Sequence, residues 1–375
     1  MRRRQFIKIG IGATAALSWG RRLEGEEVSS DSKNWTWINT DPATDDDEWR
    51  RRFARARENG IDAVLPEVFN NHLAYWHSQH LPVGDAGWLE RLVLLAHEAG
   101  LEIHAWIHCM TCNIPEIMQA HPEWYDVNRN GESAVDKPAY VDYYRFLCPS
   151  RPGVQDFLRH RVSELAAIEG LDGIHLDYIR FPDVILAEGL QPNYNIVQDR
   201  EYPEYDYCYC DLCRSDFKAA SGIDPLTDLD DPSASAEWKQ FRYDRISTLV
   251  NEHLIPVGRA AGRQMTAAVF PNWEHVRQEW HVWDLDAVLP MIYNSFYNEG
   301  IDWIRRKCEE GVARMEAKGM PKPLYSGLFV PGLTPGELKE AVAASAAGGA
   351  AGVSLFPMGG MSDEHWEALR GRARP

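Results

Sequence analysis

From Trp35 onward the chain alternates short apolar runs with longer amphipathic ones, and it does so eight times. The candidate strands are WTWIN (35–39), DAVLPEVF (62–69), LEIHAWIHC (101–109), LDGIHLDYI (171–179), QMTAAVFPN (264–272), LDAVLPMIYN (285–294), PLYSGLFVP (323–331) and AGVSLFPMG (351–359). Helical patterns at 47–60, 88–100, 152–170, 236–262, 301–319 and 334–349 lie between them. Gly60, Gly100, Gly170 and Gly262 each close a helix just before the next strand, where a left-handed residue is needed. Eight strands alternating with helices in 375 residues predict a (β/α)8 TIM barrel. An open doubly wound sheet is the competing arrangement, but no Gly-rich phosphate loop follows the first strand.

Two segments break the alternation, 110–151 after the third strand and 183–235 after the fourth. Both leave from strand C-termini, the face on which barrel enzymes build their sites, so they read as cleft walls of one domain spanning 34–375. The fourth strand reads LDGIHLDYIRFP (171–182). A period of two sends Ile174 and Leu176 to one face and His175 and Asp177 to the other. In a barrel that polar face points inward and places Asp177 at the floor of the mouth, with His175 one layer below. Tyr178 and Arg180 stand at the strand exit. The alternative is a structural cluster in which Asp177 pairs with Arg180 or a histidine, since buried charges need partners.

DGIHLDYIRFP resembles the fourth-strand signature of the family 10-like glycoside hydrolases. IHAWIH (103–108), LDAVLPMIYN (285–294) and GVSLFPMGG (352–360) are similar to that group's third, sixth and eighth strands. The resemblance spans roughly residues 34–371 and implies a TIM barrel acting on carbohydrate. It departs from the family 10 xylanases, which carry a Glu on the fourth strand and another on the seventh. Here the fourth strand has Asp177, and PLYSGLFVP has no acid.

Glycoside hydrolysis generally uses two carboxyl groups, one protonating the leaving oxygen and one acting on the opposite face. Asp177 is the first candidate. Glu67, at the exit of the second strand, is the preferred partner; Glu274 and Asp183 are the alternatives. A structural anchor to Asn39 or His108 is the plainer account of Glu67. Trp37, Asn39, Trp106, His108, His175, Tyr178, Arg180, Asn272, Tyr293, Asn294 and Phe356 stand near predicted strand ends and form a candidate polar and aromatic floor for a sugar.

Cys208, Cys210 and Cys213 have the spacing C-x-C-x2-C, which suits thiolate ligation of a tetrahedral metal better than a disulfide ladder. CYCDLCRSDF is also similar to the cysteine loop of the zinc-bearing β-galactosidases of glycoside hydrolase family 42. The resemblance implies a structural zinc, with the fourth ligand contributed from after the third strand: Cys112, or Cys109. Disulfides or simple packing are the alternatives.

The N-terminus carries Arg3-Arg4-Gln5-Phe6-Ile7-Lys8 and then a short Gly- and Ala-rich stretch. This resembles a twin-arginine export signal, so residues 1–33 are read as signal and leader, and the expected location is periplasmic or extracellular. A net charge of −17 argues against a nucleic-acid or anionic-membrane partner. The expectation is an exported glycosidase using carboxylate acid/base chemistry, with no organic cofactor. The competing expectations are a carbohydrate-binding barrel without catalysis, and a metal-dependent lyase or hydrolase using His104, His108 or His175 with Asp177.

Overall fold

The computed structural model describes residues 32–370. The twin-arginine motif lies outside the described residues. Lys33, assigned above to the leader, belongs to the barrel: its Nζ pairs with Glu102 at 2.7 Å.

The eight strands are β1 (Trp35–Ile38), β2 (Ala63–Phe69), β3 (Glu102–His108), β4 (Gly173–Asp177), β5 (Gln264–Val269), β6 (Ala287–Pro290), β7 (Tyr325–Phe329) and β8 (Gly352–Phe356). Every pairing is parallel, in the order β6-β5-β4-β3-β2-β1-β8-β7. The remaining seam, between β6 and β7, is closed by bridges from Val288 to Leu324 and from Met291 to Gly327. A Cβ on Gly327 would sit 2.6 Å from the Pro290 carbonyl oxygen, so glycine lets the two backbones meet there. The sheet is a nearly closed eight-stranded TIM barrel, as the alternation predicts.

The helices are α1 (Asp46–Glu58), α2 (Trp88–Glu98), α3 (Pro115–Ala120), α4 (Pro152–Ala166), α5 (Asp211–Ser221), α6 (Ala236–Thr248), α7 (Ile255–Ala260), α8 (Ile301–Ala317), α9 (Pro335–Ala347) and α10 (Asp363–Leu369). The single helix expected over 236–262 is divided. A π turn over Leu249–Leu254 joins α6 to α7. Pro256 explains it: proline has no N–H for an i→i−4 bond and its ring clashes with that carbonyl, and the wider turn absorbs both. Gly60, Gly100, Gly170 and Gly262 all have positive φ, as their cap positions require.

Alternation along the strands builds two separate cores. Trp35, Trp37, Leu65, Trp106, Leu289 and Tyr325 fill the barrel interior. Ile103, Ile107, Ile174 and Leu176 face outward into the layer beneath the helices. The polar parity of β4 is therefore the interior parity. The two excursions pack against each other at the C-terminal face: Tyr140 stacks on Tyr205 at 4.3 Å, and its hydroxyl donates to the Asp183 carbonyl at 2.7 Å. Behind them, buried Arg242 pairs with Asp206, and buried Arg277 pairs with Glu201 at 2.5 Å.

Candidate active site

Asp177 ends β4 and is buried. Its Oδ2 accepts from Trp106 Nε1 at 3.0 Å and its Oδ1 from the Tyr178 backbone N–H at 2.6 Å. Burial drives its pKa above the usual carboxylate value. Attraction to His108, the Tyr178 N–H, Arg180 and the Trp106 indole offset that only in part. Tyr178 has φ 49°, a left-handed conformation that costs a non-glycine residue about 1–2 kcal/mol. The kink brings its ring to 4.4 Å from that of His108, although strict alternation would have sent it outward.

Glu67, on β2, reaches the same cleft. Its Oε2 accepts from the Thr40 hydroxyl at 2.9 Å, and its Oε1 lies 3.1 Å from His108 Nε2. Burial pushes its pKa up, but the His108 hydrogen bond and charge together with Thr40 outweigh that, and the net shift is downward. One intervening strand thus serves both acids. From β3, Trp106 holds Asp177 and His108 holds Glu67.

Trp37, Asn39, Glu67, Trp106, His108, Asp177, Tyr178, Arg180, Tyr293 and Phe356 line a cleft of about 350 Å³ at the mouth of the barrel. Asp183 lines it too, but its carboxylate is bound by Arg180 Nη1 at 2.9 Å. Arg180 also lies over the Phe270 ring at 4.5 Å. Four sequence candidates stand elsewhere. His175 is fully buried beneath the floor; its Nε2 is 3.1 Å from the Trp37 indole N–H and its Nδ1 is 2.9 Å from Thr266 Oγ1. The indole can only donate, so Nε2 accepts, and the proton sits on Nδ1. Burial drives the pKa of His175 well below its usual value, and the neutral ring orients Trp37 without reaching the cleft. Asn272 and Asn294 belong to the turns beyond β5 and β6; Asn294 Nδ2 donates to the Glu299 carbonyl at 2.9 Å. Glu274 is half-exposed, 4.0 Å from Arg314 on α8 and outside the cleft.

Tyr143, Tyr144 and Tyr194 were not singled out from the sequence, yet they line the cleft. Tyr143 and Tyr144 come from the 110–151 excursion and Tyr194 from the one after β4. Period-two reasoning is silent on excursions, and the run YVDYYRF (140–146) was the available signal. Phe270, Phe296 and Tyr297 complete the wall.

A family model described as Glycosyl hydrolase-like 10 matches residues 54–314. The chain belongs to this family. Among solved structures, this glycosyl hydrolase-like 10 protein is similar to the PgaB (BpsB) glycoside hydrolase domain from Bordetella bronchiseptica, with TM-score 0.68 and 13% identity over 91% of this chain and 99% of that one. The catalytic domain of a β-amylase from Paenibacillus polymyxa matches with TM-score 0.62 and 11% identity, over 90% and 95%. A β-galactosidase from Marinomonas ef1 matches with TM-score 0.63 and 11% identity, over 90% of this chain and 58% of that one. At these identities the likeness establishes the fold. A search of curated proteins gives no significant match.

The cysteines of this glycosyl hydrolase-like 10 barrel correct one expectation. The sulfur that joins Cys208, Cys210 and Cys213 is that of Cys148, not Cys112 or Cys109. The excursion after β3 doubles back, with Leu147 N–H bonded to the Met110 carbonyl at 2.7 Å and Cys148 N–H to that of Trp124 at 2.7 Å. Its far end, not its start, therefore meets the cysteine loop. Cys112 is buried next to Tyr125, whose hydroxyl donates to the Cys112 carbonyl at 3.0 Å. Cys109 Sγ lies against the Ile107 carbonyl.

The four sulfurs lie within 4.8 Å of one another, with Cys148 at 3.8 Å from Cys210 and 3.5 Å from Cys213. Tetrahedral zinc–thiolate bonds of about 2.3 Å place sulfurs about 3.8 Å apart, whereas a disulfide needs about 2.05 Å. Backbone N–H groups of Val127, Cys210 and Cys213 point at the sulfurs. Hydrogen bonds from the other three sulfurs push the Cys210 thiol down, while burial pushes Cys148 and Cys208 up. The donor set can hold a metal. The histidine-based metal reading has no such support: His175 has both nitrogens committed, and the four-cysteine group is the one metal-type cluster among the described residues.

Proposed function

We propose that this chain is an exported glycosidase that cleaves an oligo- or polysaccharide at the barrel mouth. Asp177, whose pKa burial raises, gives its proton to the leaving glycosidic oxygen. Glu67, kept ionised by His108 and Thr40, acts on the opposite face of the sugar as base or nucleophile. The aromatic walls supply flat apolar faces for the rings. The observation that carries this reading is that two carboxyls of one cleft are pushed in opposite directions by their surroundings. Such a division between two carboxyls is what an acid and a base acting on one bond need. The direct test is a panel of aryl glycosides and oligosaccharides; a folded protein that hydrolyses none of them would count against it.

His108 gives a sharper check. Glu67 has a lowered pKa, so activity is retained above that pKa and lost as pH falls through it. Replacing His108 with Asn removes the hydrogen bond and the charge, so the acid limb of the pH–rate profile moves to higher pH. An acid limb left in place would show that His108 does not tune the base.

We further propose that Cys148, Cys208, Cys210 and Cys213 hold zinc. Four protein ligands leave no open position, so the ion would pin the two excursions together and take no part in the chemistry. Export rests on the twin-arginine motif alone. Replacing Arg3 and Arg4 with Lys should leave the protein in the cytoplasm; continued export would show that the motif is incidental.

A further inference from the structure

A second hollow, of about 570 Å³, opens at the barrel rim between the loop leading from β1 into α1 and the loop leading from β8 into α10. Among its lining residues are Asn39, Asp41, Arg52, Arg55, Met361 and Gly359. Two strand ends form the wall between this groove and the cleft. On β1, Trp37 faces the cleft, Ile38 the groove and Asn39 both. On β8, Phe356 faces the cleft and Pro357 the groove. The two spaces therefore meet at Asn39, whose exposed amide can both donate and accept.

The groove carries charge without an excess of either sign. Arg52 lies 3.2 Å from Asp41 and 2.9 Å from Glu48, and Arg55 lies 2.5 Å from Asp363. These solvent-accessible pairs, of which Asp363 stands outside the lining, offer planar donors and acceptors side by side, as hydroxyl groups require, and offer little to a polyanion. The floor is apolar, with Trp49, Met358 and Trp366 buried beneath.

We propose that the groove binds the continuation of an uncharged glycan chain whose reacting unit lies in the cleft. The chain crosses the rim at Asn39. The ligand is then a polymer or long oligosaccharide rather than a terminal sugar alone, and binding energy from these remote units is spent at the reacting bond. The proposal rests on the glycosidase reading and names its substrate class.

Gly359 supplies the test. It is exposed on the groove lining, and a Cβ built there meets no atom within 4 Å, so a side chain enters open space without disturbing the fold. Di- to hexasaccharides of β-linked glucose, xylose, galactose and N-acetylglucosamine are the probes, read as kcat/KM on the native chain and as binding by calorimetry on the Asp177→Asn variant. On the ladder that is cleaved, kcat/KM should rise by about tenfold or more from the shortest to the longest member. Gly359→Tyr should flatten that rise. A ladder cleaved equally well at all lengths would overturn the groove and leave the glycosidase reading standing. Ladders that bind with a length dependence abolished by Gly359→Tyr, yet are never cleaved, would overturn the glycosidase and leave the groove. Ladders neither cleaved nor bound would overturn both.

Discussion

Asp177→Asn should leave a folded protein whose hydrolysis of its glycoside is lower by about 10²–10⁴-fold, the range for loss of a general acid. The amide is nearly the size of the acid, and its single oxygen keeps one of the two bonds that hold the side chain, from Trp106 Nε1 or from the Tyr178 N–H, while its NH2 faces the other donor. What it lacks is the transferable proton. The pH dependence follows from the raised pKa of Asp177. As the acid, it works while protonated, so the native chain loses activity as pH rises through that pKa.

The same shift bears on stability in the opposite sense. A carboxyl whose folded pKa lies above its unfolded value contributes stability that is present below the unfolded pKa and is lost as pH rises through the folded one. At neutral pH the native chain therefore bears the cost of ionising a buried group, and the Asn variant does not. That saving offsets the loss of one accepted hydrogen bond, so its thermal midpoint at pH 7 should stay within a few degrees of the native chain's while activity collapses. An Asn variant that hydrolyses at the native rate would make Asp177 structural. Of the two other sequence candidates, Asp183 is held by Arg180 and Glu274 lies outside the cleft. Unfolding together with loss of activity would point the same way.

How much of this was legible in the sequence depends on what each signal measures. Period two is a backbone property, so it located every strand and correctly turned His175 and Asp177 inward. It could not fix depth. His175 and Asp177 share a face, but one full pleat separates a histidine sealed between Trp37 and Thr266 from a carboxyl at the mouth. Alternation also fails where the backbone leaves the β region. Tyr178 joins the cleft through a left-handed kink that no pattern announces, whereas Asn272 and Asn294 were placed by extending strands past their true ends. The tyrosines of the excursions escaped because irregular segments have no period to read. Glu67 was found because an acid on the inward parity of an apolar strand conflicts with burial, and its partner His108 was among the options considered. The fourth cysteine was misplaced for a topological reason: nearness in sequence to the strand end favoured Cys112, while the chain returns to the cluster only at Cys148.

That return path makes the second large effect specific. Native protein expressed in the cytoplasm without a tag should carry near-stoichiometric zinc, and Cys148→Ser should lose it. Each thiolate in a closed four-ligand site is needed to balance the ion, and a neutral serine hydroxyl is a poor substitute for one. Because the ion ties residues around Cys148 to the loop at 208–213, metal loss is also stability loss. A loss of about 5 kcal/mol, part of the about 10–16 kcal/mol of zinc-finger sites, lowers the midpoint of a large domain by roughly 10 °C at about 2 °C per kcal/mol. Cys112→Ser is the matched control: the thiol is equally buried, comes from the same excursion and stands outside the cluster, so zinc content should not change. A chelator should reproduce the Cys148→Ser midpoint in the native chain and leave that of the variant where it is. Zinc retained by Cys148→Ser and lost by Cys112→Ser would restore the fourth ligand that sequence order favours. Metal-free native protein with paired cysteines would show that the four sulfurs close on each other rather than on an ion.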